Sequence, residues 1–331
     1  MAEVLIINRS EMEKLLTLEA LLPVIESAFV AFTDGQTVAY PVVRELVSAH
    51  RGIFGIKSGY LMEEGVIGLK AGGFWLDNPD AGLTRHQSTT VMFDPATGLP
   101  TAFMDGNHIT AIRTAAVGAL AARELARPDA RTVAVLGCGM QGVGQAEALC
   151  LVRPIEEIRA FDIVPENVEQ FGESLRPLGV EVKACSDALE AVRGADIVVT
   201  VTPAKEPILC SDWIEQSVHV SAFGSDTRDK NEVEAALFRR AKVVVDDVTQ
   251  ATTLGDTHHA VDQGLFRADD IHATLGEILA GRKKGRTSDE EITLFDATGL
   301  AFQDLVAADL AVKLAAEQGV GTRVSLDGGD P

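Results

Sequence analysis

Three glycines carry the first chemical signal in this chain. Gly137, Gly139 and Gly142 form a GxGxxG pattern within TVAVLGCGMQGVGQAEALC, directly after a β-branched run and at the head of a helical pattern. A glycine trio alone says little, but between a strand and a helix it defines a nucleotide turn. The first two glycines permit a tight turn and close approach of backbone to a pyrophosphate, and the third lets helix and strand pack closely. Free N–H groups and the helix dipole at that end favour an anion. Asp162 ends the next apolar run, IEEIRAFDI, about 20 residues on, where a carboxylate accepts from a ribose 2′-hydroxyl and repels a 2′-phosphate. NAD rather than NADP is therefore the expected cofactor, with a solvated loop position as the plainer reading of Asp162. Flavin proteins use the same motif but tend to open with it, whereas here it begins at Gly137.

The elements around the turn predict its scaffold. After IEEIRAFDI comes a polar helical stretch from Pro165 to about Leu178, and then the short apolar runs VEVKAC, ADIVVTVTP, SVHVSAFG and AKVVVDD. Strands alternating with helices imply a doubly wound parallel sheet of Rossmann type. Upstream the texture changes. VVRELV, GIFGIKSGYL, VIGLKAGGFW, STTVMFD and PTAFMDG read as short strands joined by Gly, Pro and Asp turns, for which antiparallel meander pairing is natural. A helix expected from about Thr110 to Ala126 bridges the two textures until Arg127-Pro128-Asp129 breaks it. Near the end, GLAFQDLVAADLAVKLAAEQG reads as an amphipathic helix returning to the first domain, and the tail SLDGGDP as frayed. The fold class expected is α/β, with a Rossmann domain at 127–299 and a smaller α+β domain built from 1–126 plus 300–331, to which the family resemblance set out below assigns substrate binding and dimerisation.

Composition narrows the function classes. The 331 residues exceed the roughly 250–300 at which one core stops growing, which fits two domains. With 29 Lys and Arg against 49 Asp and Glu, the formal charge of −20 opposes nucleic acid and anionic membranes as partners. An anionic small-molecule substrate must then meet a local cluster of cations. No basic stretch followed by an apolar run and a small-residue cleavage site opens the chain, and no apolar run reaches the roughly 18 residues of a membrane span. Cys138, Cys150, Cys185 and Cys210 are widely spaced without a CxxC pair, so they read as reduced structural thiols. A cytoplasmic protein is expected. His258 and His259, in GDTHHAVDQG, match no metal-ligand spacing and read as loop residues; no metal is expected.

The stretch from Asp105 to Gly142, DGNHITAIRTAAVGALAARELARPDARTVAVLGCGMQG, resembles the hallmark segment of the ornithine cyclodeaminase and mu-crystallin family. GLKAGG around Lys70, TGLPTAFMDG from Thr97, AFGSDTRDKNEVE from Ala222 and TLFDATGLAFQDLVAA from Thr293 extend the likeness over nearly the whole chain. The resemblance implies a two-domain homodimer and hydride chemistry at an amino-bearing carbon. It also implies that Arg44, Lys70 and Arg113 hold a substrate carboxylate and polarise its nitrogen-bearing centre, with Asp226 as proton donor or acceptor. Cofactor contacts are expected at Met140 and Gln141 within the turn, and at Thr114, Thr202 and Gly224 outside it. The residue types agree with these roles. Arginine offers planar, forked donors to a carboxylate, and a lysine on the buried side of VIGLKAGG needs a partner or ligand. The plainer readings are a solvent-facing Lys70 and an Asp226 that caps a helix.

Departures from the family pattern bear on substrate. Lys57-Ser58 stands where a Met-Pro pair is frequent, and GLTRHQSTT follows Asn78-Pro79, so Lys57, Arg85 and His86 add cationic or polar groups. A second substrate carboxylate accounts for them; simple surface exposure is the alternative. Extra cations oppose a substrate with a distal ammonium. The preferred reading is an NAD-dependent reductase of a dicarboxylic 2-imino acid, iminosuccinate giving aspartate. Its rivals are a cyclodeaminase that recycles NAD and a nucleotide-linked binding protein without turnover.

Overall fold

A computed structural model describes residues 3–326. Residues 327–331, the end of the tail expected to fray, lie outside the described residues. In chain order the first elements are β1 (Glu3–Ile7), α1 (Arg9–Leu15), α2 (Leu18–Thr33), β2 (Thr37–Ala39), β3 (Val43–Val47), β4 (Gly52–Leu61), β5 (Val66–Trp75), β6 (His86–Phe93), β7 (Pro100–Asp105) and α3 (Gly106–Leu125). There follow β8 (Thr132–Leu136), α4 (Met140–Val152), β9 (Glu157–Phe161), α5 (Pro165–Leu175), β10 (Glu181–Ala184), α6 (Ala188–Val192), β11 (Ile197–Thr200) and β12 (His219–Ala222). The chain continues through β13 (Lys242–Val245), α7 (Val248–Ala251), α8 (Asp256–Asp262), β14 (Ala273–Thr274), α9 (Leu275–Leu279) and β15 (Thr293–Asp296), and ends with α10 (Ala301–Gln318) and β16 (Thr322–Ser325). It divides into two compact units, residues 1–113 with 300–331, and residues 114–299.

The first unit is a mixed sheet backed by helices. Its order is β16-β1-β7-β6-β5-β4-β2, with β3 also on β4. From β4 to β7 the strands form the antiparallel meander that the turn residues predict, whereas β1 joins β7 in parallel. Helix α10 lies against β4, β5 and β6. Gly68 permits that approach, since a Cβ there would stand 2.9 Å from the Leu305 side chain and 2.6 Å from the Val91 carbonyl. Phe302 packs edge-on to Phe29 and stacks on Phe32, both at 5.1 Å between ring centres. Each such pair adds roughly 0.5–1.5 kcal/mol beyond the area it buries. Residues Ala301 to Ala308 are all buried, so the first turns of α10 are enclosed on every side rather than along the single stripe expected.

Helix α3 begins four residues earlier than the sequence suggests. Gly106 and Asn107 are poor helix formers and mask the start, but the Asp105 carboxylate accepts from the His108 N–H at 3.0 Å and caps it.

The second unit is an all-parallel sheet in the order β10-β9-β8-β11-β12-β15-β13-β14. Apolar clusters cover both of its faces, with Val133 and Val135 on one side and Ala134 and Leu136 on the other. Burial on both faces explains why these strands read as continuous apolar runs. The four cysteines are free thiols, and burial pushes Cys138 up to about 12, with the Asp162 charge adding to it. Among the described residues no single helix is long and apolar enough to cross a membrane.

Candidate functional site

Strand register assembles the cations of the first unit. Lys57 of β4 lies directly opposite Lys70 of β5, which lies opposite Thr90 of β6; the next row is Arg44, Gly55, Gly72 and Ser88. Directly opposed residues share a face, as do residues two apart along a strand. Arg44, Lys57, Lys70 and His86 therefore occupy one face of the sheet, though 13 to 16 residues separate each from the next in sequence.

Helices α3 and α10 complete the group. Asn107, Thr110 and Arg113 recur every three residues along α3 and so share a side. Lys70 Nζ donates to Asp304 Oδ1 at 2.8 Å, stands 2.8 Å from Oδ2, and donates to Thr110 Oγ1 at 3.2 Å. Arg113 donates from Nε to Asp304 Oδ1 at 3.1 Å and from Nη1 to Gln303 Oε1 at 2.8 Å. Lys70 is thus inward-facing, not a solvent-facing charge: its side chain is 11 % exposed. Burial on its own would raise the Asp304 carboxyl, but the Lys70 ammonium and Arg113 guanidinium reverse this and hold it at about 2.

His86 plays a different part from the cation suggested by its neighbours in sequence. Burial first, and then the Lys70 charge, lower it to about 4, so the ring is neutral at pH 7. Its Nδ1 faces Asn107 Oδ1 at 3.0 Å, and that oxygen also accepts from the Ser88 N–H at 2.9 Å. Nδ1 is then the donor, and Nε2 is left as an acceptor.

In the second unit the glycine turn has the shape a dinucleotide requires. Gly137 follows β8 at φ 105°, a left-handed conformation suited to glycine, and Gly139 is the N-cap of α4 with no side-chain cap bond. A Cβ on Gly142 would sit 2.2 Å from the Gly137 carbonyl, so the helix can begin there only with glycine. Asp162 Oδ2 accepts from the Cys138 N–H and Oδ1 from the Val164 N–H, each at 2.9 Å. These bonds fix the carboxylate beside the turn. No Lys or Arg occurs between Asp162 and Arg176, so nothing in that segment would balance a 2′-phosphate. The residues fit NAD.

Thr202 and Gly224 are held by a residue that the sequence reading passed over. The buried Glu232 carboxylate accepts from the Thr202 N–H at 2.5 Å and hydroxyl at 2.8 Å, from the Thr200 hydroxyl at 2.9 Å and from the Gly224 N–H at 2.7 Å. Asp256 Oδ1 in turn accepts from the Glu232 N–H at 2.7 Å. Between Gly224 and Glu232 runs the loop with Asp226, whose Oδ1 is 2.6 Å from Lys230 Nζ. Asp226 is thus an ion-pair partner in a loop and caps no helix. Thr114 is buried, and its carbonyl accepts from Gln145 Nε2 at 2.9 Å; Met140 is partly exposed at the start of α4, next to Gln141. His258 and His259 lie on helix α8 rather than in a loop, with ring centres 3.8 Å apart.

Asp304 and Glu232 were the principal omissions. Each left a trace in sequence: Asp304 is an acid inside an apolar helical run, and Glu232 lies in the NEVE segment eight residues after Gly224.

An all-parallel doubly wound sheet with a glycine turn at the carboxyl end of β8 defines the class of nucleotide-binding α/β proteins. Within that class, the profile of the Ornithine cyclodeaminase/mu-crystallin family matches residues 2–318, and the chain belongs to that family. It is 35 % identical over 323 residues to the iminosuccinate reductase of Paracoccus denitrificans, covering 97 % of this chain and 100 % of that protein. The Thermococcus litoralis Δ1-pyrroline-2-carboxylate reductase, solved with NADH and L-proline, superposes with a TM-score of 0.94 at 35 % identity, over 97 % of this chain and all of that one. An archaeal alanine dehydrogenase dimer with bound NAD gives 0.92 at 35 % identity, over 98 % and 99 % of the two chains.

Proposed function

We propose that this protein is an NAD(H)-dependent reductase of small 2-imino acids, with a dicarboxylic imino acid such as iminosuccinate, giving aspartate, as preferred substrate. The carrying observation is the charge on one face of the first unit. Arg44, Lys57 and Lys70 share one face of the sheet, and Arg113 reaches the same Asp304 carboxylate as Lys70, while His86 is neutral. Two forked guanidinium groups and two ammonium groups gathered this way suit a substrate that carries two carboxylates. Relatives named for reducing iminosuccinate and Δ1-pyrroline-2-carboxylate and for dehydrogenating alanine support the reaction class.

Each residue then has a chemical task. Arg44 and Arg113 bind the α-carboxylate through forked N–H donors, and the Lys70 ammonium donates toward the nitrogen-bearing centre. Bound NADH supplies the hydride that turns the C=N carbon into an amine-bearing carbon. Asp226, paired with Lys230, exchanges the proton on nitrogen, so that imine, NADH and a proton become amine and NAD+. Lys57, opposite Lys70, takes the distal carboxylate. The same cation repels the distal ammonium of ornithine, which disfavours ring-closing deamination.

The other face of this sheet carries half-exposed apolar side chains, among them Val43 and Phe103, at 43 % and 48 % exposure. A second copy of the chain is the partner we assign to it, giving a homodimer. Steady-state NADH and NADPH oxidation with iminosuccinate, with pyruvate plus ammonia, and with Δ1-pyrroline-2-carboxylate tests the function. Preference for iminosuccinate and NADH is expected, and preference for a monocarboxylate rejects the dicarboxylate reading.

A further inference from the structure

Lys70 presents an electrostatic problem that the proposed reaction leaves open. An 11 %-exposed lysine has lost most of its hydration, and desolvation favours the neutral amine. Its charged neighbours mostly push the same way. Lys57 faces it directly across β4 and β5, and Arg113 approaches from α3. From β6 come the neutral His86 and the buried Thr90 hydroxyl, and from α3 the Thr110 hydroxyl, which spends its own proton on the Gly106 carbonyl at 2.8 Å. Among these groups one anion opposes deprotonation: Asp304, with both carboxylate oxygens 2.8 Å from Nζ.

We propose that Asp304 is the positioning residue of this site: its buried carboxylate keeps Lys70 an ammonium ion and, by also gripping Arg113, fixes both cations as donors to the substrate. The reading rests on the proposed imino-acid reductase. It assigns the two proton-handling groups different work. Lys70 stays charged and polarises, while Asp226 exchanges the proton.

The geometry suits a fixed clamp. Asp304 is 1 % exposed and sits in the first turn of α10, a stretch enclosed on every side, so its carboxylate has little room to follow a moving partner. Gln303, its neighbour, holds the second arm of Arg113. A clamp built this way sets Lys70 and Arg113 before substrate arrives, which lowers the ordering cost of binding.

The test needs a readout that a purely structural role would not move. In the wild-type protein carrying 13Cε-labelled lysine, with the Lys70 signal assigned through Lys70→Arg, Lys70 should keep its protonated shift up to at least about pH 9. A Lys70 signal that titrates near neutrality overturns the proposal without any Asp304 variant having to fold. Asp304→Asn should move that titration to lower pH and cut kcat/KM at neutral pH by roughly 100-fold, the scale of an ångström misplacement. Part of the loss should return on acidification, NADH affinity should stay within about twofold, and Asp304→Glu should recover more activity than Asp304→Asn. Equal losses in the two variants with an unmoved titration reject the proposal. If the wild type reduces no imino acid, the proposed function fails, and the Lys70 titration still decides the role of Asp304.

Discussion

Two buried aspartates in this protein keep opposite company. In the first unit Asp304 is gripped by Lys70 and Arg113 and remains ionised far into acid. In the second, Asp296 has Asp256 and Asp246 as the main charges acting on it, and burial together with this repulsion raises its carboxyl far above the ordinary range. Asp256 and Glu232 are raised as well, chiefly by burial. Burial is common to both regions, so the sign of the neighbouring charge decides ionisation. In the proposed function the first region holds fixed charge that binds an acid, whereas in the second the Glu232 carboxylate ties Thr202 and Gly224 together beside carboxyls that burial raises.

Removing the charge that makes the first region distinct should have the largest effect. Lys70→Ala is expected to lower kcat/KM for imino-acid reduction by roughly 1,000-fold, within the span for a proton-handling or polarising side chain. NADH titration fluorescence checks that cofactor binding persists, and a loss confined to NADH affinity would erase the distinction between the regions.

The pH dependence of stability separates the regions next. Asp304 has a folded-state pKa below the unfolded value of about 3.9, so its contribution is present above that pH and is lost as pH falls through about 2. Asp296 behaves in the opposite sense. Its carboxyl keeps a proton when folded that the unfolded chain releases near pH 4, so stability drains away as pH rises from about 4 toward neutrality. Asp296→Asn, measured by urea unfolding across pH, should flatten that decline. A variant whose curve parallels the wild type would show that Asp296 is ionised and that the contrast is false.

What could be read in the sequence depended on how local each signal is. The glycine turn and Asp162 lie within one strand-turn-helix unit and the strand after it, so their spacing suffices. Arg44, Lys57, Lys70 and His86 lie on four strands; only their register brings them to one face, and resemblance rather than spacing singled out Arg44 and Lys70. Asp304 is 234 residues from Lys70, and no pattern along the chain pairs them. The neutrality of His86 was also hidden, because it depends on burial and on the Lys70 charge, which only the fold brings near it. Helix α3 shows the converse case, a start obscured by weak local propensity and restored by the Asp105 cap.

The ratio of kcat/KM for iminosuccinate to that for the imine of pyruvate, compared between wild type and Lys57→Met, tests the central claim most directly. The cationic face predicts a wild-type preference for the dicarboxylate that falls by roughly 10- to 100-fold in the variant, the worth of one hydrogen bond to a charged group. A ratio left unchanged by Lys57→Met would contradict it.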